Sequence, residues 1–186
     1  MENTTTQKKN NVYKLVAIGL MSALVFAGNF ISIPLVNETR IHVGNAVCLL
    51  SGLLFGGIGG GLASGIGGAL YDLTNPLYVT SAPYTFFSKF AMGWTAGLLN
   101  RSKIKNPFVR ALISAVIGQI VYIILYLGKS LVTQLIIGST FKAAATIMLA
   151  KAVTSLINGG IAIVISIPLY FAIKKAFSAS KFRSLI

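Results

Sequence analysis

Apolar runs separated by short polar stretches cover most of the chain: 14–33, 41–55, 59–73, 84–99, 108–127 and 145–174. A helix needs about 20 mainly apolar residues to cross a bilayer. The pattern therefore predicts an all-α membrane protein with six transmembrane helices. Pro34 closes the first run, and LVNETR continues as a short polar loop. Asn75-Pro76 and Pro83 mark another loop over 74–83. The semi-polar stretch 128–145, with Gly138-Ser139-Thr140, is ambiguous: it reads as a loop carrying a short helix, or the fifth run extends past Lys129 into it. Residues 1–13 read as a polar, unstructured tail and 176–186 as a basic tail. Residues 14–175 form the six-helix domain between them. The first run lacks a small-residue cleavage signature after it and is expected to be retained as a helix.

Composition supports this reading. Hydrophobic residues make up 55% of the 186 residues and charged residues only 10%, with mean hydropathy +0.80. The net charge of +13 would suggest nucleic acid in a soluble protein. Here the cations cluster between apolar runs, so they report topology and not a nucleic-acid partner. Lys8, Lys9, Lys14, Arg101, Lys103, Lys105, Arg110, Lys174, Lys175, Lys181 and Arg183 fall in three regions: the two tails and the loop after the fourth run. Six crossings place those regions on one side. The excess of Lys and Arg makes that side the cytoplasm, so both termini are expected there.

The run from Gly52 to Gly68 contains nine glycines and leads to Asp72, one of three acids in the chain. So much glycine would weaken a soluble helix. In a bilayer it lets helices approach closely, and Gly57, Gly61 and Gly65 have the four-residue spacing for it. No GxxxxGK[ST] pattern is present, so the glycines serve packing and not phosphate binding. Gly19, Ala23 and Ala27 form a second small-residue stripe on the first helix. Its packing partner could lie in this chain or in another.

Candidate chemistry rests on polar groups inside apolar runs, each costly unless paired or facing a cavity. Asp72 and Lys89 could form a structural pair across the hairpin. Lys151 and Asn158, seven residues apart, share a helix face, as do Gln119 and Tyr122. With aromatic residues near the same end, they suggest a small-molecule cavity toward the outside. Cys48 and His42 are each the sole residue of their type. They support neither a disulfide nor a metal site, and no cofactor is expected. Paired carboxylates and a Ser/His/Asp set are also lacking, so the chain does not read as an enzyme.

The runs HVGNAVCLLSGLLFGGIGGGLASGIGGALYDL and APYTFFSKFAMGWTAGLL, with the basic loop after them, resemble the substrate-binding S component of an energy-coupling factor (ECF) vitamin transporter. The resemblance extends over most of 14–175. It implies a vitamin pocket near the outer face of the bacterial cytoplasmic membrane. It also implies a transmembrane coupling protein and two ATPase subunits as partners, with ATP hydrolysis left to the latter. Ala23 and Ala27 match the AxxxA motif that meets the coupling protein in this family, and Gly19 extends it by one turn. Mapped by position, the pocket would involve Asn37, Arg40, Tyr84, Lys89, Gln119, Tyr122, Tyr126, Lys151 and Asn158. Where many relatives carry an acid, this chain has Lys129. The expected ligand is hydroxymethylpyrimidine or pyridoxine, then riboflavin, then pantothenate. The single Trp argues against a thiamine site. A self-sufficient small transporter or channel is the alternative, and it would need no ATPase partner.

Overall fold

The computed structural model describes residues 2–35 and 39–178, with side chains from residue 12 onward. In chain order come α1 (Glu2–Phe30), β1 (Ser32–Pro34), β2 (Arg40–His42), α2 (Gly44–Thr74), a short 3-10 turn (Val79–Ser81), α3 (Ala82–Leu99), α4 (Pro107–Ile136) and α5 (Phe141–Ser178). Among the described residues four helices are long and apolar enough to cross a membrane: Val12–Phe30, Gly44–Thr74, Pro107–Ile136 and Phe141–Ser178.

The second of these is not straight. Gly56 has φ 77° and ψ −169°, outside helical space, which glycine alone adopts without strain. The Ser51 hydroxyl donates to the Gly60 carbonyl at 3.1 Å, and the Ser51 and Ser64 hydroxyls lie 2.9 Å apart. In a straight helix residues 51 and 64 would be about 20 Å apart. The two arms of α2 therefore run antiparallel about Gly56, which agrees with separate apolar runs over 41–55 and 59–73.

The arms and α3 close on one another through bare backbone. A Cβ at Gly60 would strike the Gly52 backbone, one at Gly93 the Gly60 carbonyl, and one at Gly97 the backbone of Gly56. This is the close approach that the glycine spacing predicts. Around it Val25, Cys48, Leu49, Met92, Ala96, Ala115 and Ala162 form a buried cluster. Cys48 is a packing residue there.

The structure differs from the sequence pattern in three places. Helix α1 begins at Glu2, although 1–13 read as an unstructured tail. No Gly or Pro interrupts the chain before Gly19, so a helix nucleated in the apolar run propagates backward. The loop expected over 128–145 is mostly helix. Helix α4 continues to Ile136 because nothing before it breaks a helix, and Gly138 (φ 75°) supplies the left-handed stop. The polar loop after the first run is framed by a small antiparallel hairpin, pairing Ser32 with His42, Ile33 with Ile41 and Pro34 with Arg40.

Helix α4 starts where expected. The Asn106 side chain accepts hydrogen bonds from the Phe108 and Val109 amides, and Pro107 occupies the first turn.

Candidate functional site

A cavity of about 130 Å³ opens at the end of the bundle that carries the β1–β2 hairpin. Its walls come from β2, the C-terminal end of α2, the 3-10 turn, and helices α3, α4 and α5. Seven of the sequence-predicted residues line it: Arg40, Tyr84, Lys89, Tyr122, Tyr126, Lys151 and Asn158.

Arg40 projects from β2. Its guanidinium lies 3.9 Å from the Asp72 carboxylate. It also stacks 4.1 Å from the Tyr71 ring centroid and 4.9 Å from that of Tyr78. The Asp72 carboxylate also accepts from the Thr85 hydroxyl. Asp72 therefore pairs with Arg40, and the expected Asp72–Lys89 pair is not formed. The Lys89 ammonium instead donates to Asn29 Oδ1 on α1 at 2.9 Å. Lys89 is only 2% exposed, and its stem lies against Gly68, where a side chain would collide with it.

On α4, Tyr122 and Tyr126 stand one helical turn apart with nearly parallel rings, centroids 6.0 Å apart. The Lys151 ammonium lies 6.0 Å from the Tyr126 ring. The Tyr84 hydroxyl donates to the Leu125 carbonyl, tying α3 to α4. Asn158 reaches from α5 to β2 with both ends of its amide. Its Oδ1 accepts from the His42 amide at 2.9 Å, and its Nδ2 donates to the Arg40 carbonyl at 2.8 Å.

One expected residue stands elsewhere. Gln119 is buried against Gly159 and does not line the cavity. Asn37 lies outside the described residues.

The cavity also draws on residues that the mapping omitted. Thr154 and Ser155 lie between Lys151 and Asn158 at helical spacing, so one polar stripe was legible on α5. Lys129 donates to the Ser81 hydroxyl and faces the Tyr84 ring at 5.7 Å. Asn45 lines the cavity with neither end of its amide bonded to protein. His42 does so with Nδ1 unbonded. Asn45 was legible as a polar group inside an apolar run, but nothing in the sequence told a cavity-lining amide from a packed one. Among the described residues no group of three or more His, Cys, Asp or Glu gathers to hold a metal.

The arrangement suits binding. Aromatic faces, amide groups and four cations surround one carboxylate, which is already held by Arg40 and Thr85.

Comparisons with known proteins bear on the fold and the family. Residues 9–175 match the family model of the ECF-type riboflavin transporter S component. A solved structure described as "Structure and mechanism of the S component of a bacterial ECF transporter" shares the fold, with TM-score 0.68 and 19% identity. The match covers 91% of this chain and 99% of that one. No curated protein matches the chain. With nearly the whole membrane domain matched, this chain belongs to the family of ECF-type riboflavin transporter S components.

Proposed function

We propose that this chain captures riboflavin in the cavity at the hairpin end and delivers it to an ECF transport complex. The observation that carries the reading is the cavity lined by Tyr84, Tyr122 and Tyr126 beside amide and cationic groups. Such a lining suits a flat heterocycle bearing several hydrogen-bonding groups. The name of the matching family adds support and moves riboflavin ahead of hydroxymethylpyrimidine and pyridoxine. Asn45, with donor and acceptor both open, would read a heterocycle edge. Tyr122 and Tyr126 would contact its face, and Lys89 and Lys151 its carbonyl or hydroxyl oxygens.

In this reading the chain crosses the bacterial cytoplasmic membrane six times, with each arm of α2 counted once. The cavity faces outward and both termini face the cytoplasm. The first arm is completed by β2, which extends the path beyond the helical part. The basic segments at the ends of α3 and α5 and the Gly56 corner share the opposite end: Arg101 donates to the Phe55 carbonyl there, at 3.5 Å. The positive-inside rule assigns that end to the cytoplasm. Capture is followed by closure of the β1–β2 hairpin, which Asn158 holds to α5. Reorientation of the chain in the membrane follows when the coupling protein engages.

Family membership implies association with the coupling protein and the ATPases. The docking stripe would be Gly19, Ala23 and Ala27, which stand exposed on α1. Gly19 and Ala23 line an apolar groove with Leu15, Ile18, Phe26 and Leu70. Replacing Ala23 and Ala27 with Leu should prevent co-purification of the partners while leaving vitamin binding intact.

The ligand is tested by titrating purified protein with riboflavin, hydroxymethylpyrimidine, pyridoxine and pantothenate, following flavin fluorescence and heat. Riboflavin should bind with Kd below about 1 μM, at least −8 kcal/mol. Tighter binding of another compound in the panel, or no binding at all, overturns the assignment.

A further inference from the structure

A second cavity, about 170 Å³, lies at the opposite end of the molecule from the vitamin site. Arg101 enters it from the segment after α3, Arg110 from the first turns of α4, and Lys174 from the last turns of α5. Among the described residues no Asp or Glu lines it. Three cations are thus converged by separate elements with no carboxylate between them.

The polar groups around them are arranged to donate. The Tyr170 hydroxyl accepts from Asn100 Nδ2 at 3.1 Å and from the Lys174 ammonium at 3.3 Å. Its oxygen is thereby occupied, leaving its proton to give. Arg110 donates one guanidinium nitrogen to the Ile104 carbonyl, while its buried Nε has no protein partner. A buried, unbonded guanidinium N–H is costly without an acceptor. Buried Asn100 Oδ1 is an unpaired acceptor beside them.

The rim has the opposite character. Exposed Trp94 and Leu98 stand against the Gly57 backbone at the α2 corner. Exposed Phe108 stacks on Phe171, centroids 6.3 Å apart, and Phe171 packs on Tyr170. A cationic pocket flanked by outward apolar and aromatic groups matches an anionic phospholipid, with its phosphate among the cations and its chains along the rim.

We propose that Arg101, Arg110 and Lys174 form a binding site for the phosphate of an anionic phospholipid. The proposal uses the orientation given under Proposed function only to name the leaflet, which would be the cytoplasmic one. The site itself does not depend on which vitamin is bound.

The test uses the full chain, purified and stripped of lipid in detergent. Thermal unfolding is followed with added phosphatidylglycerol, phosphatidylcholine or inorganic phosphate. Native mass spectrometry counts retained lipid. Phosphatidylglycerol should raise the midpoint by roughly 5 °C, and phosphatidylcholine should not. Arg110→Gln should abolish the rise. Arg101→Gln and Lys174→Gln alter exposed residues and should each reduce it by half or more, covering the case in which Arg110→Gln fails to fold. Vitamin affinity should be unchanged in these variants, so failure of the lipid site is separable from failure of the vitamin assignment. An equal rise with inorganic phosphate alone would uphold the phosphate site and overturn the lipid as its occupant. Equal response to both lipids, an undiminished response in the variants, or no response to any probe overturns the proposal.

Discussion

Two walls of the cavity at the hairpin end are held in place by different means. The α3 wall carries Tyr84, Thr85, Ser88 and Lys89 on a helix whose backbone meets α2 through Gly52, Gly60, Gly93 and Gly97. The α5 wall carries Lys151, Thr154, Ser155 and Asn158 on a helix with exposed Leu149, Val153 and Leu156 on its other side. Its link to the hairpin is the pair of hydrogen bonds from Asn158. Backbone contact admits no adjustment, because no side chain can move aside. Hydrogen bonds can exchange at modest cost. The α3 wall is therefore a fixed template, and the α5 wall with its hairpin is the part able to open and close.

The largest test of this contrast is Gly60→Leu. The new side chain must enter the Gly52 backbone, and overpacking there should cost about 3 kcal/mol or more. Loss of monodisperse protein, or a collapsed unfolding midpoint, would register it. Gly160→Leu on α5 meets nothing within 4 Å at Cβ, so it should stay within about 0.5 kcal/mol of the parent. Equal damage at both positions would break the comparison.

Asn158→Ala comes next. It leaves the His42 amide and the Arg40 carbonyl without their partner and should cost about 2 kcal/mol. Faster hydrogen exchange at the His42 amide, with α3 amides unchanged, would locate the loss in the hairpin. Asn158→Asp keeps the acceptor and loses the donor, so it should fall between the two.

Lys89→Met should reduce vitamin affinity about tenfold, or 1.4 kcal/mol, with little change in stability. Met fills similar space beside Gly68, and removing a buried ammonium offsets the lost bond to Asn29. A fall in stability with unchanged affinity would make Lys89 purely structural. The smallest effect belongs to Gly128→Ala, which meets nothing within 4 Å. It should be neutral or slightly stabilising in an unfolding assay, by the helix preference of Ala over Gly.

Much of this was legible in the residue pattern. Glycine spacing foretold the backbone contact, and apolar runs located every helix core. The Lys151–Asn158 face could be read because helical periodicity is local. Partners across elements could not. Asp72 seemed suited to Lys89, the nearest cation in the neighbouring run, but a hairpin brings Arg40 to it instead. Asn29 gave no sign that it would receive Lys89. Gln119 shares a face with Tyr122, yet Gly159 lets it sink between α4 and α5, away from the cavity. The helix over 128–136 was legible only in part, because a semi-polar sequence lengthens a helix as readily as it forms a loop. Side-chain polarity there reports depth in the membrane and not backbone conformation.

The Gly56 corner also bears on how the protein is made. The arm over 44–55 is about 18 Å long, short of the roughly 30 Å hydrocarbon layer. The Ser51 and Ser64 hydroxyls find each other only when both arms are present. A nascent chain ending just after Gly56 would hold the first arm without the second, whose Gly60 backbone packs on Gly52. Stable entry into the bilayer must wait until synthesis has passed Thr74, when the whole hairpin can leave the insertion machinery as one body. Slowing translation between 56 and 74 should therefore harm yield more than slowing it in the loop before α4.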